Sequence, residues 1–561
     1  MVRNWRNWTP PLLLAALVTL ANALKPLVID DTAYVAFARQ IAAHPFNPYG
    51  FTIFWDTAPE PAFGVLAPPV LPYWLALGIR LFGEHPFLLK LWLFPFLWAL
   101  TAALSDLLRR FAGGSTRLLP LIVLSPAVLP TVNLMLDVPA LALGLTALSL
   151  FARAADRDSW RLAAGAGLLA ALAAQTKYTM FAIPPAIAWY GATHRRFRLA
   201  AVAVTVAVTG FVGWELLLVA RYGHSHLFFQ LAQQQRYAKP AERTLGGLVQ
   251  LKARLISPLV SHLGCLGAGI GLVAAGALGV SRRWLLAAAA IWALGFVRIA
   301  LVPHAWAAAT PAHTLAVKLF WRSFGLLTLV ALAICAGALV LRRRKPWSPE
   351  ARFLVGWLLI ELASYFVLTP FPAARRGIGL VVVAGLFAAH VVSRVGRLLP
   401  ARRPAGWIIA FGIATGLAVT VVDTVDVSSE KVSVERATAL TAARPAGSTV
   451  WCLAKWGFHY YCERAGMRPI VSGRSSLAPG DLLVIPLLWD ANNGFGPPNM
   501  LESSIHPELS VAEQVAKSVW NEPLSGQTVT NFYGGTDPVM MRDHPRLAVG
   551  IYQIKEWRTA R

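Results

Sequence analysis

The sequence predicts an α-helical polytopic membrane protein of about 13 transmembrane helices, followed by a small C-terminal α/β unit outside the membrane. Three observations carry that reading. Of the 561 residues, 56% are hydrophobic and only 14% are charged, with a mean hydropathy of +0.55, where a soluble domain carries about 25% charged residues. The formal charge of +24 is confined to residues 1–423, which hold 38 basic and 14 acidic residues, while residues 424–561 hold 13 of each. Within residues 1–423 the basic residues stand in clusters between apolar runs. Together these exclude a soluble enzyme and a disordered chain, and they make the positive charge a topology signal instead of a nucleic-acid surface.

Apolar runs centre near residues 10–29, 86–108, 118–133, 137–153, 160–175, 178–193, 199–220, 258–280, 284–302, 316–340, 353–370, 377–398 and 405–423. The clusters Arg3/Arg6, Arg109/Arg110/Arg117, Arg153/Arg157/Arg161, Arg195/Arg196/Arg198, Arg282/Arg283, Arg342 to Lys345 and Arg394 to Arg403 fall at every second loop. By the positive-inside rule the N-terminus is then cytoplasmic and, with an odd number of spans, the C-terminal segment lies outside. The first run is too long for a cleaved signal peptide and reads as a retained anchor. The expected division is a membrane domain over 1–423 and an extracytoplasmic α/β domain over 424–561. The first outer loop covers about 30–85, and in it the apolar stretch Ala67–Phe82 reads as a juxtamembrane helix lying at the interface or as a partial re-entry.

In the C-terminal segment, Ser448–Leu453, Asp481–Leu488 and Leu547–Ile554 read as strands, Gly457–Ala465 as a helix and Asp490–Met500 as a loop. Cys265 and Cys335 fall in apolar runs as packing residues. Cys452 and Cys462 stand ten residues apart in a segment where an oxidising compartment permits a disulfide, a pairing that spacing alone leaves open.

The residues able to carry chemistry gather on the outer side of this topology. Asp30 and Asp31 follow directly on a hydrophobic run. One of them can cap the helix that begins there, but two adjacent carboxylates at a membrane edge are expected to be solvated, paired or used. A carboxylate there can take a proton from a hydroxyl or amine nucleophile. Asp137, before Val138-Pro139, is either a helix cap or a second acid of the same site. Lys177, Arg375 and Arg376 are basic residues on the outer side, against the topology rule. They either snorkel to headgroups or hold an anion such as a lipid phosphate. Arg236, Lys239, Arg243, Lys252 and Arg254 read as a headgroup-facing basic stretch. His224, His226, His304 and His313 lack metal-site spacing and read as solvated loop residues. No Walker A, GxGxxG or GxSxG motif occurs, so a cytosolic nucleotide is not the expected driving substrate.

The stretch from Asp30 through Tyr34, Arg39, His44-Pro45, Pro48 and Tyr49-Gly50-Phe51 resembles the first outer loop of the family 39-type, C-class membrane glycosyltransferases. These include protein O-mannosyltransferases and the lipid A aminoarabinose transferase. Pro68-Pro69 with Tyr73-Trp74 and Gly83-Glu84, Met135 to Pro139, and Thr176-Lys177-Tyr178 agree in order. Arg375-Arg376 and Trp456 to Tyr461 agree less tightly. Ala33 stands where some relatives have Arg, and Gly377 where many have Tyr.

The resemblance implies the C-class glycosyltransferase fold and a hexosyl or pentosyl transferase of the inner membrane. It would use a polyprenyl-phosphate sugar donor, a lipid, glycan or protein acceptor and no cofactor, with a divalent metal left open. Asp30 would activate the acceptor. Asp31 falls where the family often has Glu, Asp137 would be the second acid, and Lys177 and Arg376 would meet the donor phosphate with Arg375 beside them. Tyr34, Tyr49 and Glu60 belong to the expected acceptor loop. The competing classes are a transporter or lipid flippase, since intramembrane charges also mark ion pathways, and a non-catalytic envelope scaffold.

Overall fold

A computed structural model describes residues 8–55, 58–65, 68–237, 245–307, 310–341, 348–395, 406–445, 447–471, 474–490, 494–497, 512–528 and 535–555. Arg3, Arg6, Lys239, Arg243, the Arg342–Lys345 cluster and most of the 394–403 cluster lie outside the described residues.

The chain runs α1 (Thr9–Ala23), α2 (Asp30–Ala43), a hairpin of β1 (Thr52–Phe54) and β2 (Pro59–Pro61), α3 (Val70–Phe82), α4 (Pro86–Leu91), α5 (Phe94–Phe111) and α6 (Leu119–Val123). It continues through α7 (Asp137–Arg157), α8 (Trp160–Ala174), α9 (Ile183–Thr193), α10 (Phe197–Tyr222), α11 (His226–Tyr237), α12 (Leu245–Ala253), α13 (Ile256–Leu266) and α14 (Ala268–Ala277). The helices α15 (Arg282–Phe296), α16 (Pro311–Leu341), α17 (Pro349–Leu368), α18 (Ile378–Val395) and α19 (Gly406–Thr441) complete the bundle.

Among the described residues eight helices are long and apolar enough to cross a membrane, or nine if a bent pair counts as one span. Several of the apolar runs do not form a helix of that length, and the reasons are local. The run at 118–133 contains Pro120, Pro126 and Pro130, which remove helix donors, and it forms only α6 and a single 3-10 turn. The run at 258–280 breaks between α13 and α14 with a bend of 79°. The helices at 10–29, 160–175 and 178–193 are 15, 15 and 11 residues long. At 1.5 Å per residue, 15 residues span about 22 Å of a core about 30 Å thick. Within the stretch 67–82, Val70–Phe82 forms a short apolar helix, α3.

The last helix, α19, is 36 residues long, so the expected 423/424 division falls inside it. Its second half packs against the C-terminal sheet through Val434 and Ala437. That sheet contains β3 (Val450–Cys452), β4 (Arg468–Pro469), β5 (Leu482–Asp490), β6 (Gly494–Gly496), β7 (Ala512–Val519) and β10 (Leu547–Ile554), in the order β4-β3-β5-β10-β7 with β6 on β5. The strands β8 (Gly526–Gln527) and β9 (Met540–Met541) pair separately. The three expected strands and the expected helix, α20 (Trp456–Arg464), are present. The strand β7 was not expected, because its alternation includes Glu513, Gln514 and Lys517 and reads as polar. Within the expected loop 490–500, the segment Gly494–Gly496 pairs with β5. Cys452 and Cys462 are buried free thiols.

Candidate active site

The site is assembled at one end of the bundle, where the starts of α2, α7 and α18 meet. Each of these helices begins with its functional residue: Asp30 opens α2, Asp137 opens α7, and Arg375 and Arg376 lie in the 3-10 turn Ala374–Gly377 that leads into α18. Carboxylates at helix N-termini are favoured by the exposed backbone N–H groups. The two acids can therefore be held at the edge of an apolar bundle.

Arg375 joins them. Its Nη1 lies 3.0 Å from Asp30 Oδ2 and 3.8 Å from Asp137 Oδ2. Lys177, in the turn between α8 and α9, pairs directly with Asp137. Arg376 is half-buried, with its guanidinium 4.3 Å from the centre of the Phe371 ring. Its Nε has no hydrogen-bond partner among the described residues. Asp137, Lys177, Arg375 and Arg376 line one cavity together with Thr369 and Glu361. Glu361 was not singled out from the sequence, although a lone acid inside Leu358-Leu359-Ile360-Glu361-Leu362 is a visible signal. Trp357 Nε1 donates to it at 3.1 Å. Three carboxylates, Asp30, Asp137 and Glu361, thus share this corner with three cations, whose ammonium and guanidinium groups can also meet an anion.

The approach to Asp30 is strained. Ile29, just before it, has φ +43° and ψ −111°, outside the regions a β-branched residue ordinarily occupies. The helix α20 packs on this corner: Tyr461 Oη donates to the Leu27 carbonyl at 3.0 Å. At Gly457 an added Cβ would lie 2.1 Å from Glu430 Oε2 and 3.5 Å from the Ile29 amide nitrogen, so glycine permits the close approach.

The other expected residues are placed differently. Asp31 is fully buried and accepts from the Val28 amide at 3.2 Å. It faces a separate charged group. Lys90 Nζ donates to the Lys25 carbonyl at 2.7 Å, and Lys25 Nζ lies 2.6 Å from Asp423 Oδ2. Burial pushes the Asp31 carboxyl up to about 7, against the opposing pull of Lys90 and Lys25. Tyr34 is buried one helical turn after Asp30. Tyr49 is packed among Phe37, Phe63, Tyr222 and His226, its ring stacked 5.1 Å from the imidazole. Glu60 sits opposite Ile53 in the β1–β2 hairpin.

The expectation of solvated histidines is corrected at His226, which is fully buried with Nδ1 2.7 Å from Tyr178 Oη. It fails because the aromatic residues around His226 come from loops distant in sequence. His304 is half-buried against Glu522 at 3.4 Å. Lys252 donates to the Thr369 carbonyl at 2.8 Å, capping the end of α17. Among the described residues no three His, Cys, Asp or Glu side chains gather as a metal ion would require.

Residues 67–215 match the family model for dolichyl-phosphate-mannose-protein mannosyltransferases. None of the curated proteins matches the chain. Among solved structures, the chain is similar to the Archaeoglobus fulgidus oligosaccharyltransferase AglB, solved with an inhibitory peptide and a dolichol-phosphate. The identity is 13%, with 98% of this chain and 88% of that one covered at a TM-score of 0.47. ArnT from Cupriavidus metallidurans, solved with undecaprenyl phosphate, is 15% identical, with 98% of each chain covered at a TM-score of 0.42. The Archaeoglobus fulgidus oligosaccharyltransferase tethered to an acceptor peptide is 14% identical at a TM-score of 0.43. There the match covers 84% of this chain and 64% of that one, just under two thirds of the relative's length. The family match takes in Asp137 and Lys177 but neither Asp30 nor Arg375, which geometry alone adds to the cluster. The family match covers 149 of the 561 residues, and over that segment the chain is similar to the dolichyl-phosphate-mannose-protein mannosyltransferases.

Proposed function

We propose that this protein transfers a sugar from a polyprenyl-phosphate donor to a lipid, glycan or protein hydroxyl or amine at the outer face of the cytoplasmic membrane. The observation that carries the reading is Arg375 standing between Asp30 and Asp137, at 3.0 and 3.8 Å, with Lys177 and Arg376 on the same cavity. Transfer from a sugar phosphate needs a base at the nucleophile and cations at the leaving phosphate. Asp30 takes the acceptor proton as the acceptor atom bonds to the anomeric carbon. The bond from that carbon to the phosphate oxygen breaks, and polyprenyl phosphate leaves with the electron pair. Arg376 and Lys177 receive the charge developing on that phosphate, while Arg375 and Asp137 hold Asp30 in place. A single displacement of this kind inverts the anomeric configuration. Tyr34 supports the Asp30 helix from within. Asp31 and Tyr49 serve the scaffold, and Glu60 belongs to the acceptor loop.

The same reading divides the chain into a membrane part over 1–423 and an extracytoplasmic unit over 424–561. It places the N-terminus in the cytoplasm and the strand-rich unit in the periplasm. The location of Asp30, Asp137, Lys177, Arg375 and α20 at one end of the bundle supports it, as does the position of Arg153, Arg157 and Arg394 at the far ends of α7 and α18. A reporter fused after Arg561 is expected to be active only on the periplasmic side.

The enzymatic test is release of polyprenyl phosphate by purified protein given a polyprenyl-phosphate sugar and envelope acceptors. Wild type is expected to release it and Asp30→Asn to lose about 10²–10⁴-fold in rate. An Asp30→Asn variant at the wild-type rate sinks the base assignment. A wild type silent with every donor sinks the enzyme reading.

A further inference from the structure

A second cavity, about 360 Å³ in volume, lies between α2, the β1–β2 hairpin and α20. That is within the range of small-molecule sites, about 300–1,000 Å³. Its floor is the α2 stripe Ala33, Ala36, Gln40 and Ala43. Residues three and four apart share a helix face, so the stripe extended back by one step reaches Asp30. The small side chains leave room beside α2.

The walls are aromatic. Phe54 stacks on His459 with ring centres 4.7 Å apart, and Trp55 meets Trp456 at 6.0 Å. Trp456 is 37% exposed and has φ +52°, a conformation that bulky side chains avoid. The fold therefore holds a large apolar side chain partly in solvent at the expense of backbone strain, a combination found where strain serves a site.

The charged groups at the cavity are already matched. Arg39 is held by Glu84 through two hydrogen bonds, at 2.8 and 3.1 Å, and His459 Nε2 lies 3.3 Å from Glu463 Oε1. Both groups are thus engaged within the protein. Exposed aromatic faces beside hydroxyl, amide and imidazole groups suit a polyol ring. The electron-rich faces meet its C–H edges, and the polar groups exchange hydrogen bonds with its hydroxyls.

We infer that the cavity between α2 and α20 is a subsite for a neutral carbohydrate ring of the acceptor, positioned so that the acceptor's free hydroxyl is led along α2 toward Asp30. The word acceptor rests on the glycosyltransferase reading above; the carbohydrate subsite itself does not. The strand-rich unit then supplies half of a binding site through Trp456 and His459.

The test is direct binding to the full-length protein in detergent, without donor, read by tryptophan fluorescence and ligand-observed NMR. The probes are neutral hexose and pentose oligosaccharides, a phosphate-substituted oligosaccharide and a serine/threonine-rich peptide. At least one neutral oligosaccharide is expected to bind wild type saturably and Trp456→Ala at least tenfold more weakly. Trp456→Phe is expected to recover most of the binding. Binding of only the phosphorylated sugar or the peptide, no binding by any neutral oligosaccharide, or wild-type binding by Trp456→Ala each overturn the inference. Should polyprenyl-phosphate release fail in wild type while the oligosaccharide still binds, the transfer reading falls and the subsite stands.

Discussion

Asp30 reaches Arg375 at 3.0 Å on the edge of a cavity, while Asp31, one residue later, is fully buried beneath it, accepting from Val28 in the field of Lys90 and Lys25. Successive residues of a helix point about 100° apart, so the first turn of α2 serves two charge clusters at once. One cluster, Asp30, Asp137, Arg375, Lys177 and Arg376, opens on a cavity. The other joins Lys25 to Asp423, and through Thr528 and Asp426 continues to the strand-rich unit: Thr528 Oγ1 donates to Asp423 Oδ1 at 2.8 Å and its amide to Asp426 Oδ2 at 2.6 Å. The difference teaches that adjacent identical side chains take their roles from what faces them. A buried cluster closed on its own charges holds elements together, and a cluster with cavity-lining cations keeps capacity for a ligand.

The sharpest way to break this comparison is to remove one charge from each cluster. Asp30→Asn is expected to lower the transfer rate by about 10²–10⁴-fold with the thermal midpoint nearly unchanged, measured by polyprenyl-phosphate release alongside unfolding in detergent. The inverse pattern is expected for Lys25→Met. It leaves Asp423 as a buried carboxylate without its cation, at a cost of about 3–5 kcal/mol, seen as a lowered midpoint and poor recovery. The rate per folded molecule should be largely kept. Replacing both partners, Lys25→Met with Asp423→Leu, should restore much of that stability.

Smaller effects sharpen the picture. Arg376→Gln should raise KM for the polyprenyl-phosphate donor by about 10–100-fold, as loss of a hydrogen bond to a charged group worth about 1.5–3 kcal/mol implies, without moving the midpoint. An unchanged KM would remove Arg376 from the donor site. Asp31→Asn should act mainly through pH. The folded carboxyl titrates at about 7 against an ordinary 3.8, so the folded state binds the extra proton. Its stabilising contribution is complete below about pH 4 and is lost as the pH rises to about 7. The midpoint of Asp31→Asn relative to wild type should therefore climb with pH across that window. A flat difference would mean Asp31 is ionised throughout.

Much of the site was legible in the sequence because charges in apolar surroundings are conspicuous. Asp30, Asp137, Lys177, Arg375 and Arg376 could each be singled out as residues the membrane edge does not tolerate idly. Their partners could not be read, since Asp30 and Arg375 are 345 residues apart and nothing local links them. Lys25, Lys90 and Asp423 carried the same signal at apolar run ends, and Glu361 carried it inside a run. Tyr49 and His226 looked like loop residues because the rings that enclose them, Phe63 and Tyr222 among them, come from separate segments.

Hydropathy and charge are properties of short windows. The sequence by itself therefore determined that this is a helical membrane protein, where the long apolar helices among the described residues run, and that three strands and a helix follow them. Pro120, Pro126 and Pro130 leave the run at 118–133 with only short helical pieces, because backbone hydrogen bonding overrides apolar content. The tertiary structure alone decided that Arg375 stands between two acids, that Ile29 is held at positive φ under α20, and that α2 faces a cavity on one side and a buried ion network on the other. These are contacts between distant segments, set by packing the whole chain, and no window of sequence contains them.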